Sequence, residues 1–464
     1  IDRLVIIVRI ESMVGKRRLL SIAQEVMRRS SGDQTEILII NYLSRLTRFA
    51  NNIIHQNVAE LNTTFQIRVV IGKRVGVASA NTLKRKEVRK VLEDAVEIAR
   101  NQPEDPDFRS LPRPSTYKEL DIFDSQTATY GPKEQAREVK RAIAMAKEHG
   151  LSGYGSFSTG VSEILIVNSL GIEAYTQATD VYFNTVMMGE DATGYGDGAA
   201  RKVSEVDVER IARTAARKAL LGRKPRSLKP GRYEVILEPN AVAELLNFLG
   251  WMGFSAKMVQ EKQSFLIDKL GKRIADPGIT LYEDPYHPKG FAFPFDFEGV
   301  RRKRVPLIKD GIAVGYVHDS YTAGKEGKRS TGNGLPAPNP YGPVPFNLTL
   351  RKGGVSRERM VQQTKKGLLV TRFHYTNIVD PIKTVVTGMT RDGLYLIQNG
   401  EIVGGVKNFR FTQSILEALS QVEGIGNDLT LIGHGPGYDF RHAMGTLAVS
   451  LRIRDFNFSG VTRF

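Results

Sequence analysis

Apolar positions along this chain recur with two different periods. From Gly15 to Arg29, GKRRLLSIAQEVMRR places them at helical spacing, and residues 86–100, KEVRKVLEDAVEIAR, repeat the pattern until Pro103, Pro106, Pro112 and Pro114 forbid further helix. Between the two helices, EILIINYL, RLTRFANNIIHQ, TTFQIRVVIG and RVGVASAN alternate over short runs with polar or glycine-containing breaks. They predict an antiparallel meander. A helix from Lys133 to His149 stops at Gly150, and GSFSTGVSEILIVNSLG and IEAYTQATDVYFNTVMMG then read as two long strands. EDATGYGDGAA reads as a glycine-rich loop, before a helix from Glu205 to Leu221 that Gly222 ends.

The basic, proline-containing stretch GRKPRSLKPG follows, and it is the expected domain boundary. At 464 residues the chain is longer than the ~250 to 300 at which single cores stop growing, so two domains are expected, 13–224 and 231–464. Beyond the boundary, GRYEVILEP leads into the apolar run AVAELLNFLGWMGFSA, residues 241–256, read as a helix capped by Asn240. It holds the chain's one tryptophan, and Glu244 is its one charge. The pairs Asp310-Gly311, Asp392-Gly393 and Asn399-Gly400 favour hairpin turns. The expected fold class is α+β: an N-terminal α/β domain with an antiparallel meander and helices, then a mostly antiparallel β domain with one or two helices.

Composition narrows the function classes. No stretch approaches the ~18 apolar residues of a membrane helix, and the start, IDRLVIIVRIE, is broken by Asp2, Arg3 and Arg9, a poor secretory signal. Residues 1–12 are expected to be dispensable. With no cysteine the chain can form no disulfide, thiolate zinc site or thiol nucleophile, which fits a cytoplasmic location. The net charge of +16 would suit a nucleic-acid binder, yet KRKEVRK, Arg223–Arg232 and RRKR carry no aromatic interleaving. Solvated faces account for them better.

Zinc hydrolases usually place two ligands on one helix, but no two of the seven histidines (55, 149, 287, 318, 374, 434 and 442) lie three to five residues apart. Asp296 and Glu298 in FDFEG have the two-residue spacing that would put an acid and a base on one strand face, although turn roles explain such residues more often. GKEGKRSTGNG, residues 324–334, resembles a mobile glycine-rich loop without the Walker ending.

Segment order carries more information. LSRLTRFANNIIHQN, LEPNAVAELLNFL, LGKRIADPGITLYEDP, FDFEGVRRKRVPLIKDG, RSTGN, VTGMTRDGLYLIQNGEI and VEGIGNDL, in that order, resemble the TldD/PmbA family over nearly the whole chain. The resemblance implies a heterodimer in which a TldD-type zinc peptidase carries HExxxH on a helix plus a later cysteine ligand, while the PmbA-type (TldE) subunit lacks the ligands. Set in register by LGKRIA, the three HExxxH positions fall on Asn247, Phe248 and Met252, and the cysteine position falls near His434. An amide, a phenyl ring and a thioether are poor substitutes for two imidazoles and a carboxylate. His434 alone remains a weak metal candidate.

The expected role is therefore a non-catalytic PmbA-type subunit that binds no cofactor itself, pairs with a zinc-bearing TldD-type chain, or with itself in that chain's absence, and helps hold extended or unfolded peptides. Ser330, Thr331 and Asn333 of the RSTGN loop, with His374 and Tyr375 of RFHYTN, are the groove candidates. The alternatives are an independent peptidase using Asp296, Glu298 or His434, and, less favoured, a DNA- or topoisomerase-directed modulator.

Overall fold

The structure, a computed structural model, describes residues 13–435 and 441–462. The expectation about residues 1–12 lies outside them. The chain forms mixed α and β structure around three sheets.

Residues 34–200 build a six-stranded antiparallel sheet in the order β3-β2-β1-β4-β5-β6, from β1 (Gln34–Ala50), β2 (Ile53–Ile71), β3 (Arg74–Ala80), β4 (Ser152–Asn168), β5 (Glu173–Met188) and β6 (Thr193–Ala200). The four segments expected to form the meander are three strands. EILIINYL and RLTRFA run together as β1 because Ser44 and Arg45 stay in register with both neighbours. Four amphipathic helices cover one face: α1 (Lys16–Met27), α2 (Arg85–Asn101), α4 (Pro132–Glu148) and α5 (Val208–Leu221), with the short α3 (Ser125–Thr129) preceding α4. Ile37 and Ile39 of β1 meet these helices, while Leu38 and Ile40 point the other way and pack with Phe293, Phe295, Phe297 and Phe346 of the second half. β1 reads as a continuous apolar run because both its faces are buried. Each of those phenylalanines contributes about 1.5 to 3 kcal/mol by leaving water.

The expected loop EDATGYGDGAA is largely strand β6. Its alternate glycines let α5 sit directly on the sheet: a Cβ on Gly194 would lie 2.0 Å from the Ala215 carbonyl oxygen, and one on Gly196 2.6 Å from that of Ile211. Glycine here is a packing residue, not a turn signal.

Residues from 231 onward form two sheets. One has the order β10-β9-β8-β11-β18-β17, from β8 (Leu281–Glu283), β9 (Val305–Lys309), β10 (Ile312–Ala313), β11 (Leu348–Leu350), β17 (Thr430–Gly433) and β18 (Gly445–Ala448). The other runs β12-β7-β19-β15-β13-β14 and closes on itself, because β13 also pairs with β12. Its strands are β7 (Gly231–Leu237), β12 (Lys366–Asp380), β13 (Val385–Gln398), β14 (Glu401–Gly405), β15 (Phe409–Ser414) and β19 (Leu451–Val461), with β16 (Val422–Ile425) joined to β19. Most pairings are antiparallel; β7 with β12 and β11 with β18 are parallel.

Helix α6 (Pro239–Gly253) fills the space between the two sheets, and Leu245, Leu246, Leu249 and Met252 sit in the shared core. Four shorter helices join it: α7 (Ala256–Gln260), α8 (Ser320–Lys325), α9 (Arg357–Gln363) and α10 (Ile415–Ser420), more than the one or two expected. Asp310-Gly311 and Asn399-Gly400 form two-residue hairpin turns with positive φ at both positions. Asp392-Gly393 instead lies inside β13, opposite a register shift in β12, so this pair marks a bulge.

Buried polar links join the halves. Arg441 donates to both oxygens of Asp180, at 3.0 Å and 3.1 Å through Nε, and to Ser44 and Ser158, each at 2.8 Å. Lys218 of α5 and Arg357 of α9 both bind the Glu238 carboxylate, at 2.5 Å and 2.6 Å. Arg68 joins Glu36 at 2.8 Å to Glu298 at 3.5 Å.

Candidate functional site

Helix α6 begins two residues earlier than expected, with Glu238 at the N-cap position and Pro239 opening it. Asn240 is thus inside the helix, and its side chain is free to reach across the halves and donate to Asp197 of β6 at 2.9 Å. Asn240, Glu244 and Asn247 stand four and three residues apart, so they share one face of α6. That face lines a cavity of 390 Å³, closed on the other side by Tyr182 and Tyr195 of the first sheet, by Arg372 and Phe373 of β12, and by His434 just after β17.

The cleft brings together the first HExxxH position and the cysteine-ligand position. Thr446 Oγ1 donates to Asn247 Oδ1 at 2.5 Å, and Asn247 Nδ2 lies 2.9 Å from His434 Nε2. An amide nitrogen can only donate, so His434 accepts there through Nε2 and carries its proton on Nδ1. The ring keeps an open edge in the cleft, yet the surrounding protein atoms hold its pKa below the ordinary value.

The other two motif positions turn away from this chain of hydrogen bonds. Phe248 packs against the main core, and Met252 is 2% exposed within it. A zinc ion needs several lone pairs converging on one point. Asn247 offers an occupied amide oxygen, His434 has its Nε2 engaged, and Met252 is enclosed by apolar side chains. These donors do not fit zinc. Among the described residues, no three His, Cys, Asp or Glu side chains are grouped to hold a metal ion.

Asp197 and Glu244 are both raised above the usual carboxylate range, in each case chiefly by burial, with nearby hydrogen bonds and the Arg372 charge pulling the other way. Burial and the Asp197 charge also push the Tyr182 phenol up to about 12. Phenols, amides, two carboxyl groups and one guanidinium make the cleft a hydrogen-bonding surface. Such a surface suits holding a polar backbone.

The remaining candidates lie elsewhere. Asn333 is 1% exposed and donates to Glu283 at 3.3 Å and to the Val344 carbonyl at 3.1 Å, while Ser330 and Thr331 donate to the His318 carbonyl. The expected mobile loop is tied to its surroundings at these residues, and none of the three lines the cleft. The rings of His374 and Tyr375 on β12 lie 4.4 Å apart at a tilt of 57°, and Tyr375, 71% exposed and at φ 49°, lines a second groove of 820 Å³ beside Arg391 and Lys407.

Asp296 and Glu298 occupy a turn, not a strand face. Asp296 accepts three backbone N–H groups, from Glu298, Val300 and Gly334, and Glu298 accepts from Ser320 while facing Arg68. Both are buried at the junction of the halves, where their geometry holds loops together. Asp197, Asn240 and Arg372 went unrecognised as cleft residues in the sequence. The lone charge Glu244 in an otherwise apolar helix was the available signal.

With this geometry in place, comparison with known proteins is informative. Three family profiles match in chain order: PmbA/TldA metallopeptidase domain 1 over residues 35–99, the central domain over 125–223 and the C-terminal domain over 230–460. The chain belongs to the PmbA/TldD metallopeptidase family. It is 28% identical over 382 residues to Metalloprotease PmbA of Escherichia coli O157:H7, covering 78% of this chain and 80% of that one. It is 26% identical over 319 residues to a metalloprotease of Methanothermobacter thermautotrophicus, covering 65% and 69%. In fold it matches TldE from Thermococcus kodakarensis with a TM-score of 0.86 at 22% identity, covering 95% of this chain and all of that one. A Thermotoga maritima protein named for a suspected role as modulator of a DNA gyrase matches with a TM-score of 0.83 at 22% identity, covering 95% and 99%.

Proposed function

We propose that this chain is a non-catalytic, PmbA/TldE-type subunit that pairs with a zinc-bearing TldD-type peptidase and contributes a cleft for extended peptides. The observation that carries this reading is the Thr446–Asn247–His434 hydrogen-bond chain, which takes up the lone pairs a zinc ion would need, with Met252 packed in the core. The family supplies peptide chemistry as the context, and several relatives carry the name metalloprotease.

A strand-like ligand suits the site. β12 pairs with β7 only over residues 368–370, so beyond Val370 it has β13 on one side and, among the described residues, no strand on the other. An extended peptide can supply the missing strand through its own N–H and C=O groups, and the cleft opens beside Arg372 and Phe373 on that stretch. His434, with its proton on Nδ1, and one of the two tyrosines, whose hydroxyls share a hydrogen bond of 3.3 Å, offer donors for peptide carbonyls.

Peptide hydrolysis by this chain alone, by a TldD-type chain of the same genome alone, and by the mixture tests the reading. Activity should need the TldD-type chain and vanish when the glutamate of that chain's HExxxH is changed to glutamine. Hydrolysis by this chain alone would overturn it. A stable homodimer that refuses the TldD-type chain would overturn the pairing.

A further inference from the structure

The guanidinium of Arg372 has a built setting and an unused edge. Its Nε donates to Asp392 Oδ2 at 2.8 Å and its Nη2 donates to the same oxygen. Asp392 is 1% exposed, so this carboxylate is a fixed part of the protein interior. The central carbon of the cation lies over the Tyr195 ring, 4.1 Å from its centroid. Two independent contacts therefore fix the position of the group.

Guanidinium carries five N–H donors. Asp392 occupies the side formed by Nε and Nη2. The end formed by Nη1 and the second Nη2 hydrogen has no acceptor among the described residues, and the side chain keeps 23% of its surface exposed. Arg372 lines the 390 Å³ cleft and is the one Lys or Arg among the residues lining it. A planar pair of N–H groups presented this way matches the two oxygens of a carboxylate.

We propose that Arg372 anchors a carboxylate of the bound peptide, either its C-terminal group or an acidic side chain. This rests on the peptide-holding reading above and adds a substrate class to it. No ion pair within 4.0 Å joins Arg372 to Glu244 or Asp197 among the described residues, which leaves the free edge to the ligand.

The test is fluorescence anisotropy on the full chain with a fluorescein-labelled hexapeptide in three forms: free C-terminal acid, C-terminal amide, and amide with one internal aspartate. At least one carboxylate form should bind about tenfold or more tightly than the plain amide, in the range of a charge-assisted bidentate contact. The form preferred identifies the source of the carboxylate. In Arg372→Gln combined with Asp392→Asn, which removes both charges so that no buried carboxylate is stranded, the acid-to-amide ratio should fall to about one. Binding of all forms without preference by the unaltered chain, or a preference that survives the double substitution, would overturn the anchor and leave peptide binding standing. Failure of every form to bind would overturn the peptide reading itself.

Discussion

Replacing Asn247 by leucine probes the hydrogen-bond chain at the positions that the resemblance assigns to zinc ligands. Thr446 is 1% exposed, and its hydroxyl donates to Asn247 Oδ1 at 2.5 Å. Removing that acceptor strands a buried hydroxyl, at a cost of about 1 to 3 kcal/mol. The bond to His434 lies at the cleft, where water can replace it, and adds about 0.5 to 1 kcal/mol. A total of about 1.5 to 4 kcal/mol is expected. Thr446→Val alone should cost about 1 kcal/mol, because Asn247 keeps some access to water. Made in the Asn247→Leu background, however, it removes the stranded hydroxyl and should recover stability, giving a coupling of about 1 to 2 kcal/mol. Urea unfolding followed by Trp251, the chain's one tryptophan and on the same helix, measures each corner of the cycle. His434, losing the donor that favours its neutral form, should titrate at a higher pH in Asn247→Leu by NMR. Additivity within about 0.3 kcal/mol, together with an unchanged His434 titration, would refute the reasoning.

Other features give further expectations. Burial, with the Glu298 charge second, raises Asp319 to about 6, above its unfolded value of about 3.9. Its contribution to stability should therefore be fully present below about pH 4 and lost as pH rises through about 6, amounting to at most about 3 kcal/mol. Stability measured across this window should fall relative to Asp319→Asn; parallel curves would count against the assignment. Gly194→Ala should destabilise by about 2 kcal/mol or more, since its Cβ would stand 2.0 Å from the Ala215 carbonyl, and an unshifted unfolding curve would show that α5 can move away. Asp180→Ala leaves the Arg441 guanidinium, 2% exposed, with only the two serine hydroxyls among the bonds it makes here, and should cost about 3 to 5 kcal/mol in the same assay. A loss under about 1 kcal/mol would show that solvent reaches that pair.

The larger elements were legible because their periods were long. The helices around residues 86–100 and 133–149 and the long strands β4 and β5 occur close to where the pattern put them. Misreadings came where one residue type serves two physical ends. Glycine marks turns, yet in β6 it makes room for α5; Asp-Gly forms a turn at 310–311 but a bulge at 392–393. Asn240 has the chemistry of a cap, but Pro239 took the first turn and released the amide to Asp197. The cleft was harder to read because its parts are far apart in sequence. Asn247 and His434 are 187 positions apart, and Arg372 becomes visible as a site residue only once Asp392 and Tyr195 are seen to fix it.

Central to the account is the proposal that this chain holds no zinc of its own, and native mass spectrometry with zinc counting tests it most directly. The chain alone should carry no stoichiometric zinc, and mixing with a TldD-type chain from the same genome should give a one-to-one complex holding one zinc. One zinc per molecule on this chain by itself would contradict the account and direct attention to His434.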